Sequence, residues 1–188
     1  MSAIAGICYV DGRPVQRADL RKMIEVLAHR GQDSEGVWIH DTIGLGQRIH
    51  RTTPEALPRS VPFMSQHGDL VLACDARIDN RDELVHILRL GECPADQITD
   101  GELILAAYEQ WGEHCPEKLL GDFAFAIWHE RKQILFAARD HFGIRPFFYY
   151  HSPYTLIFSS EIKALLCLTD VPRRLNEARI ADYLLPML

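Results

Sequence analysis

The chain begins Met1-Ser2-Ala3-Ile4-Ala5-Gly6-Ile7-Cys8-Tyr9-Val10. Residues 3–10 are almost all apolar, and Asp11-Gly12, a pair typical of tight turns, follows them. This pattern predicts a buried strand that begins directly after Ser2. The hydroxyl side chain of Ser2 therefore stands where a buried strand meets the start of the chain.

The stretch after this strand has the spacing of an amphipathic helix over residues 18–30. Its apolar side chains fall on one stripe, which comprises Leu20, Met23, Ile24 and Leu27. His29 and Arg30 suit the negative end of the helix dipole, and Gly31 suits a left-handed residue that ends the helix.

Helical and extended patterns are interspersed along the rest of the chain. Helix starts are predicted at Asn80 with Glu83, and at Thr99 with Glu102, where the spacing is that of a capping box. Further helices are predicted over 161–166 and 175–185, and strands over 36–40, 43–49, 70–76, 123–128, 134–139, 146–150 and 155–159. Because short polar turns join several strand pairs, we predict an α+β fold of stacked, mostly antiparallel sheets with helices outside.

Length and charge limit the classes of protein to which the chain can belong. It has 188 residues, 47% hydrophobic and 24% charged, with a net charge of -6, which indicates one globular domain with a substantial core. The acidic balance argues against a nucleic-acid surface and against an anionic membrane face. No run approaches the ~20 apolar residues of a membrane span.

The five cysteines are Cys8, Cys74, Cys93, Cys115 and Cys167. Their number is odd, and no two of them form a Cys-x-x-Cys pair. We therefore expect reduced thiols in a cytoplasmic protein. The nine histidines form neither His-x-His nor His-Glu-x-x-His, so we expect no metal site.

Three motifs occur in a fixed order along the chain: His29-Arg30-Gly31-Gln32-Asp33, Arg139-Asp140-His141-Phe142-Gly143-Ile144-Arg145-Pro146 and Ser160-Glu161-Ile162-Lys163-Ala164-Leu165-Leu166. With the N-terminal strand, they resemble the class II, N-terminal nucleophile glutamine amidotransferase domain of the asparagine synthetase family. The resemblance covers nearly the whole chain and implies a four-layer α-β-β-α sandwich. It also implies an amidotransferase-like domain over 1–170 and a lead-in to a second domain over 171–188.

In this family, removal of the starter methionine makes residue 2 the N-terminal nucleophile. Its side chain attacks an amide carbonyl while its α-amine, with a pKa of about 7.7–8, accepts the proton. The amidotransferases use cysteine, whereas this chain has Ser2, and a hydroxyl is a far weaker nucleophile than a thiol. Ser2 is therefore interpreted as a degenerate nucleophile or a simple strand residue, and Cys8, inside the strand, cannot replace it.

The resemblance also places an Asn-Gly-Glu triplet at the end of a central strand, where Asp75-Ala76-Arg77 occurs here. The asparagine amide and the glycine N–H would form the oxyanion hole, and the glutamate would bind the α-ammonium of glutamine. Asp75 cannot donate to an oxyanion unless it is protonated, and the loss of one donor costs ~2.7–4 kcal/mol of barrier. Ala76 keeps its N–H, but Arg77 puts a cation where a substrate cation would bind.

Two other positions match the family. Arg48 matches the arginine that holds the substrate carboxylate, although it could equally be a surface ion-pair partner. Asp100 matches a carboxylate that binds the α-ammonium, although a carboxylate also suits the first turn of a helix. We further predict that Arg77 pairs with Asp100 and fills the former substrate site.

The remaining motifs are interpreted as architecture. Arg139-Asp140 with Gly143 should form a tight turn between two strands, with Pro146 beginning the next strand. His29-Arg30-Gly31 should form a helix end near the site.

The resemblance implies a partner, because family members carry a second domain that activates a carboxylate with ATP and Mg²⁺. The chain has no Gly-rich phosphate loop, so we expect no cofactor in this chain and a synthetase domain in cis or as a docked subunit. An apolar patch is expected near Leu184, Leu185 and Leu188. The oligomeric state and the substrate of the second domain remain open.

The leading hypothesis is a glutaminase-impaired amidotransferase-like domain that acts as a scaffold for a synthetase domain. The run Asp75-Ala76-Arg77-Ile78-Asp79-Asn80-Arg81-Asp82 looks similar to the cysteine-less lasso peptide cyclases, which resemble the β-lactam synthetases in having lost the nucleophile. One alternative is a working glutaminase that uses Ser2. Another is a module that binds glutamine through Arg48 and Asp100.

Overall fold

The computed structural model describes residues 1–51, 60–91 and 97–184. Its strands are β1 (Ala3–Tyr9), β2 (Ser34–His40), β3 (Ile43–Ile49), β4 (Phe63–Met64), β5 (Leu70–Ile78), β6 (Gly121–His129), β7 (Ile134–Arg139), β8 (Phe148–Ser152) and β9 (Thr155–Ser159). Its helices are α1 (Arg17–Val26), α2 (Arg81–Ile87), α3 (Asp100–Trp111), α4 (Ile162–Leu166) and α5 (Glu177–Leu184). A 3-10 helix, Gly112–Lys118, follows α3 and was not predicted.

The strands form two antiparallel sheets. The first has the order β2-β3-β1-β9-β8 and the second β4-β5-β6-β7. Helices α1 and α4 pack on the outer face of the first sheet, and α2 and α3 pack on the outer face of the second. The predicted α-β-β-α sandwich is therefore confirmed.

A central core lies between the two sheets. It contains the buried side chains Ile4, Ile43, Leu45, Val71, Ala73, Ala124, Ala126, Trp128 and Phe158. Because the strands alternate their side chains, one face of β1 and β5 points into this core and the other face points toward the helices. β1 is buried along almost its whole length, as its continuous apolar run predicted.

Glycines let these layers approach closely. A Cβ atom on Gly6 would lie 2.2 Å from the ring of Phe158, which fills the space between the sheets. A Cβ atom on Gly46 in β3 would lie 2.7 Å from Ile24 of α1. Both positions therefore require a residue with no side chain.

The predicted end of α1 is wrong, whereas α2 begins with Asn80 at its N-cap as predicted but without the expected side-chain cap. α1 ends at Val26, earlier than predicted, and Gly31 is not its left-handed terminal residue. Gly31 is required instead because a Cβ atom there would lie 2.8 Å from the backbone carbon of Arg48. At α2 the Asn80 side chain caps no helix N–H; its amide donates to Glu83 Oε2 (3.2 Å).

Two other local predictions are confirmed. Thr99 and Glu102 form the complete capping box at the start of α3. The Asp140 carboxylate accepts hydrogen bonds from the N–H groups of Phe142, Ile144 and Arg145, at 2.9–3.1 Å. Gly143 completes this turn with a φ of 64°.

The end of the described chain carries exposed apolar side chains. α5 has no buried residue, and its Ile180, Tyr183 and Leu184 are exposed. Leu184 lies in the patch that the sequence predicted, whereas Leu185 and Leu188 lie outside the described residues.

Candidate functional site

Ser2 lies at the end of the first sheet, where β1 begins. Its Oγ accepts a hydrogen bond from the backbone N–H of His50 (3.1 Å), just after β3. Its carbonyl oxygen accepts a hydrogen bond from Nε of Arg30 (3.0 Å). Backbone and side chain of Ser2 are therefore both held by residues from other elements.

Asp75, on the sheet opposite, points into the same region. Its side chain is only 3% exposed and contacts Arg30 (Nη2 to Oδ2, 3.4 Å) and Arg145 (Nη1 to Oδ1, 3.4 Å). Burial raises the pKa of the Asp75 carboxyl, and Arg145, Arg30, the N-terminal ammonium and the N–H of Ser2 oppose that effect. The predicted oxyanion position is thus a buried carboxylate bound by two arginines.

Arg30 connects three parts of the site. Besides Ser2 and Asp75, its Nη1 contacts Oε1 of Glu161 (3.2 Å), the residue that precedes α4. Burial alone would raise the pKa of Glu161, but hydrogen bonds from His29, Lys163 and Arg30 hold it below its usual value. These contacts join α1, β1, β5 and α4 at one end of the sandwich.

The sequence placed Arg30 near the site but gave both Arg30 and Arg145 an architectural role, and it missed their contacts with Asp75. Both come from motifs that the sequence singled out, but no local pattern connects them to Asp75. One signal was available: a carboxylate predicted inside a central strand needs a cationic partner when it is buried.

Arg77 does not form the ion pair that the sequence predicted. Its guanidinium is 55% exposed and forms a two-pronged pair with Asp79, Nε to Oδ1 at 2.9 Å and Nη2 to Oδ2 at 3.1 Å. The prediction that Arg77 pairs with Asp100 is wrong, because a partner two residues away on the same strand end is closer. Ala76, between Asp75 and Arg77, is partly buried.

Asp100 is held by a different arginine. Its Oδ1 pairs with Nη2 of Arg81 and accepts a weaker hydrogen bond from the N–H of Ile78 (3.4 Å). It lies in the first turn of α3, as predicted. Its charge is therefore engaged within the protein.

Arg48 also makes contacts within the protein. Its Nε donates to the carbonyl of Ile24 (2.7 Å), its Nη1 donates to the carbonyl of Gly31 (3.1 Å), and its Nη2 pairs with Glu35. These partners belong to α1, the segment after it and β2. The described contacts therefore bring Arg48 to the helix side of the first sheet.

The cluster around Ser2 is chemically a set of ion pairs, in which the buried Nε of Arg145 has no hydrogen-bond partner. An ionised carboxylate that is paired with two guanidinium groups has no proton to donate to a developing oxyanion. No group of three or more His, Cys, Asp or Glu side chains that could hold a metal ion occurs in residues 1–51, 60–91 and 97–184. Within the same ranges no helix is long and apolar enough to cross a membrane.

Comparison with solved structures gives the class of the fold. The glutamine phosphoribosylpyrophosphate amidotransferase from B. subtilis, complexed with ADP and GMP, superposes with a TM-score of 0.68 at 19% identity. The match covers 87% of this chain and 42% of that chain. The fold is thus that of the amidotransferases with an N-terminal nucleophile, as the sequence predicted.

Sequence comparison gives the family. A family described as "Glutamine amidotransferase domain" matches residues 1–188. The chain is 30% identical over 168 residues to asparagine synthetase [glutamine-hydrolyzing] 3 of Bacillus subtilis, with 89% of this chain and 27% of that protein covered. Asparagine synthetase [glutamine-hydrolyzing] 2 of the same organism is 32% identical, with 84% and 21% covered.

The chain therefore belongs to the class II glutamine amidotransferase domains of the asparagine synthetase family. It spans about a quarter of the length of these relatives.

Proposed function

We propose that the chain is a glutaminase-impaired amidotransferase domain of an asparagine synthetase-like protein, and that it serves as a scaffold for an ATP-dependent synthetase domain. The observation that carries this proposal is the buried Asp75 carboxylate, held by Arg30 and Arg145 beside Ser2. A working site needs a donor at that position, and the chain supplies an occupied acceptor.

Two further features support impaired chemistry. Ser2 offers a hydroxyl in place of a thiol, and an uncharged hydroxyl is a weak nucleophile at neutral pH. Arg77, at the position that should bind the α-ammonium of glutamine, is a cation already paired with Asp79. The replaced oxyanion donor alone accounts for ~2.7–4 kcal/mol of barrier, a 10²–10³-fold loss in rate.

The scaffold role rests on the exposed edges of the sandwich. β7 and β8 are edge strands of their sheets, and the segment around them exposes Phe142 (91%), Ile144, Phe148 and Tyr149. Exposed apolar surface of this kind marks an interaction site. We propose that a synthetase-like domain covers this surface and that this domain binds ATP and Mg²⁺. We also propose that the whole protein is cytoplasmic and belongs to the cysteine-less type that includes the lasso peptide cyclases.

The test is glutamate release from L-glutamine by the protein, compared with three variants. We expect no release above the buffer rate from the natural chain or from Ser2→Ala. Ser2→Cys alone should remain inactive because Asp75 still blocks the oxyanion position. Ser2→Cys combined with Asp75→Asn restores two of the three family residues and should show the first detectable release.

Release by the natural chain that disappears in Ser2→Ala would contradict the proposal and support the alternative, a working glutaminase with Ser2 as nucleophile. Calorimetric titration with L-glutamine tests the remaining alternative, a glutamine-binding module. We expect no binding heat, because Arg48 and Asp100 are engaged by Glu35 and Arg81.

A further inference from the structure

Charged side chains surround the backbone of Ser2, and the proposed function does not explain them. Arg30 donates to the Ser2 carbonyl through Nε and contacts Oδ2 of Asp75 through Nη2. The same guanidinium therefore bridges residue 2 and the buried carboxylate. The Ser2 N–H and the N-terminal ammonium both act on Asp75.

We infer that Asp75 binds the α-ammonium group of Ser2 in chains from which Met1 has been removed, and so keeps this amine protonated and unavailable as a base. Asp75 would then be a positioning residue: it would act on the α-amine of Ser2, and through it would prevent the proton transfer that the reaction needs. The inference rests on the proposed function only in taking residue 2 as the nucleophile position.

The charges around residue 2 decide whether the pKa of the Ser2 amine is raised or lowered. The surrounding charged or titratable groups are Arg30, Asp75, Arg145, Glu161, His50 and Asp33. His29 and Lys163 contact Glu161 (2.8 and 3.2 Å), and the His50 ring contacts Asp33 (3.2 Å).

Four of these groups pair with one another: the positive charges of Arg30 and Arg145 are balanced by the negative charges of Asp75 and Glu161. Arg30 directs two of its nitrogens to the Ser2 carbonyl and to Glu161, so its charge is shared between acceptors. Arg30 holds the Ser2 backbone and Asp75 together, and the N–H of Ser2 hydrogen-bonds to Asp75. An opposite charge in contact favours the protonated amine. Without the carboxylate, burial and the two arginines would lower the pKa of the Ser2 amine.

The measurement is the pKa of the Ser2 amine. The chain is treated with a methionine aminopeptidase, and mass spectrometry verifies that it begins at Ser2. The rate of N-terminal acylation by trace acetic anhydride is then followed against pH, read from the mass of the N-terminal peptide. An ordinary α-amine titrates at about 7.7–8.0.

We expect the natural chain to titrate at least one unit above this range, so that acylation at pH 7.5 is about eightfold slower, or more, than for a free amine with a pKa of about 8. Asp75→Asn should titrate below the range, because burial and Arg145 then act on the amine while Glu161 stays paired with Arg30. Asp79→Asn removes an exposed carboxylate that pairs with Arg77, and it should behave like the natural chain.

If Asp75→Asn does not fold, the double variant Asp75→Asn with Arg145→Gln removes both members of a pair and gives the same comparison. The inference is overturned if the natural amine titrates at or below 8, or if neutralising Asp75 leaves its pKa unchanged. Glutamate release is assayed on the same samples. Activity together with a raised pKa would contradict the proposed function alone, and inactivity with an ordinary pKa would contradict this inference alone.

Discussion

Asp75 is a carboxylate placed where burial makes an unpaired charge costly. Its side chain lies between the sheets and reaches Arg30 and Arg145 from two different parts of the chain. Breaking a buried pair by removing one partner leaves the other charge uncompensated, and this costs more than the pair itself contributed. Asp75 should therefore matter to folding as well as to the chemistry of the site.

Arg145→Gln, which leaves the buried Asp75 carboxylate with Arg30 as its one arginine partner among the described ion pairs, is expected to lower the free energy of unfolding by ~3 kcal/mol. Urea denaturation followed by circular dichroism measures the change. The matched control is Asp79→Asn, which neutralises a carboxylate on the same strand end whose partner is exposed. Equal destabilisation by the two variants would contradict a buried charge cluster.

Asp140 shows a second use of a single carboxylate. It accepts three backbone N–H groups and holds the turn that carries Arg145 to Asp75. Asp140→Ala leaves those donors without an acceptor, so the free energy of unfolding should fall by about 2 kcal/mol. Stability unchanged within error in urea would show that water replaces the carboxylate.

At the scale of elements, α3 is fixed to the second sheet by its first turn. The Thr99 side chain accepts from the N–H of Glu102 (3.2 Å), and the Glu102 carboxylate accepts from the N–H of Thr99 (2.7 Å). This reciprocal cap satisfies two N–H groups that have no partner within the helix.

Thr99→Ala should therefore destabilise the protein by about 1 kcal/mol, measured by urea denaturation. Gln16→Ala at the start of α1 is the control, because the Gln16 side chain caps no N–H of its helix. A larger loss from Gln16→Ala than from Thr99→Ala would contradict the assignment of the cap.

The central strand β1 passes over Phe158 at Gly6, where there is no room for a side chain. Gly6→Ala forces the ring or the strand to move, so we expect a loss of about 1–3 kcal/mol in the free energy of unfolding. Gly91→Ala is the control, since no atom lies within 4 Å of the added Cβ. Comparable stability of the two variants would mean that the sheets separate more easily than the packing implies.

For the whole molecule, ion pairs and hydrogen bonds make stability depend on pH. Burial alone would raise the pKa of Asp140 and Glu161, but hydrogen bonds hold both below their ordinary values. A lowered pKa in the folded state gives stability that is present above the unfolded value and is lost as pH falls through the folded value. Burial raises the pKa of Asp75, so its contribution to stability is present at low pH and is lost as the pH rises through the folded value.

Among the described residues the pKa is lowered at four carboxyl groups and raised at one: it is lowered at Asp33, Asp69, Asp140 and Glu161 and raised at Asp75. The free energy of unfolding should therefore fall as pH drops below about 4. Urea denaturation at pH 7, 4 and 3 measures this dependence. The fall should be smaller in Asp140→Asn, which has lost one of the groups with a lowered pKa. A stability that rises between pH 4 and 3 would show that Asp75 dominates.

The sequence by itself determined the family, the α-β-β-α architecture, the buried course of β1, the Thr99 cap and the Asp140 turn. Each of these follows from short-range patterns, because alternation, capping and turn chemistry involve neighbours within a few residues. The α1 boundary was wrong because tertiary packing of Gly31 against Arg48 overrode the local signal.

Only the tertiary structure decided which charges meet at the site. Arg30 and Asp75 are 45 residues apart in the chain, and the stacking of the two sheets brings them together. Arg77 and Asp100 matched the family by position, yet Arg77 turned to Asp79 and Asp100 to Arg81. Ion pairs between elements depend on how the layers pack and on which side chains remain buried, and no local pattern in the sequence contains that information.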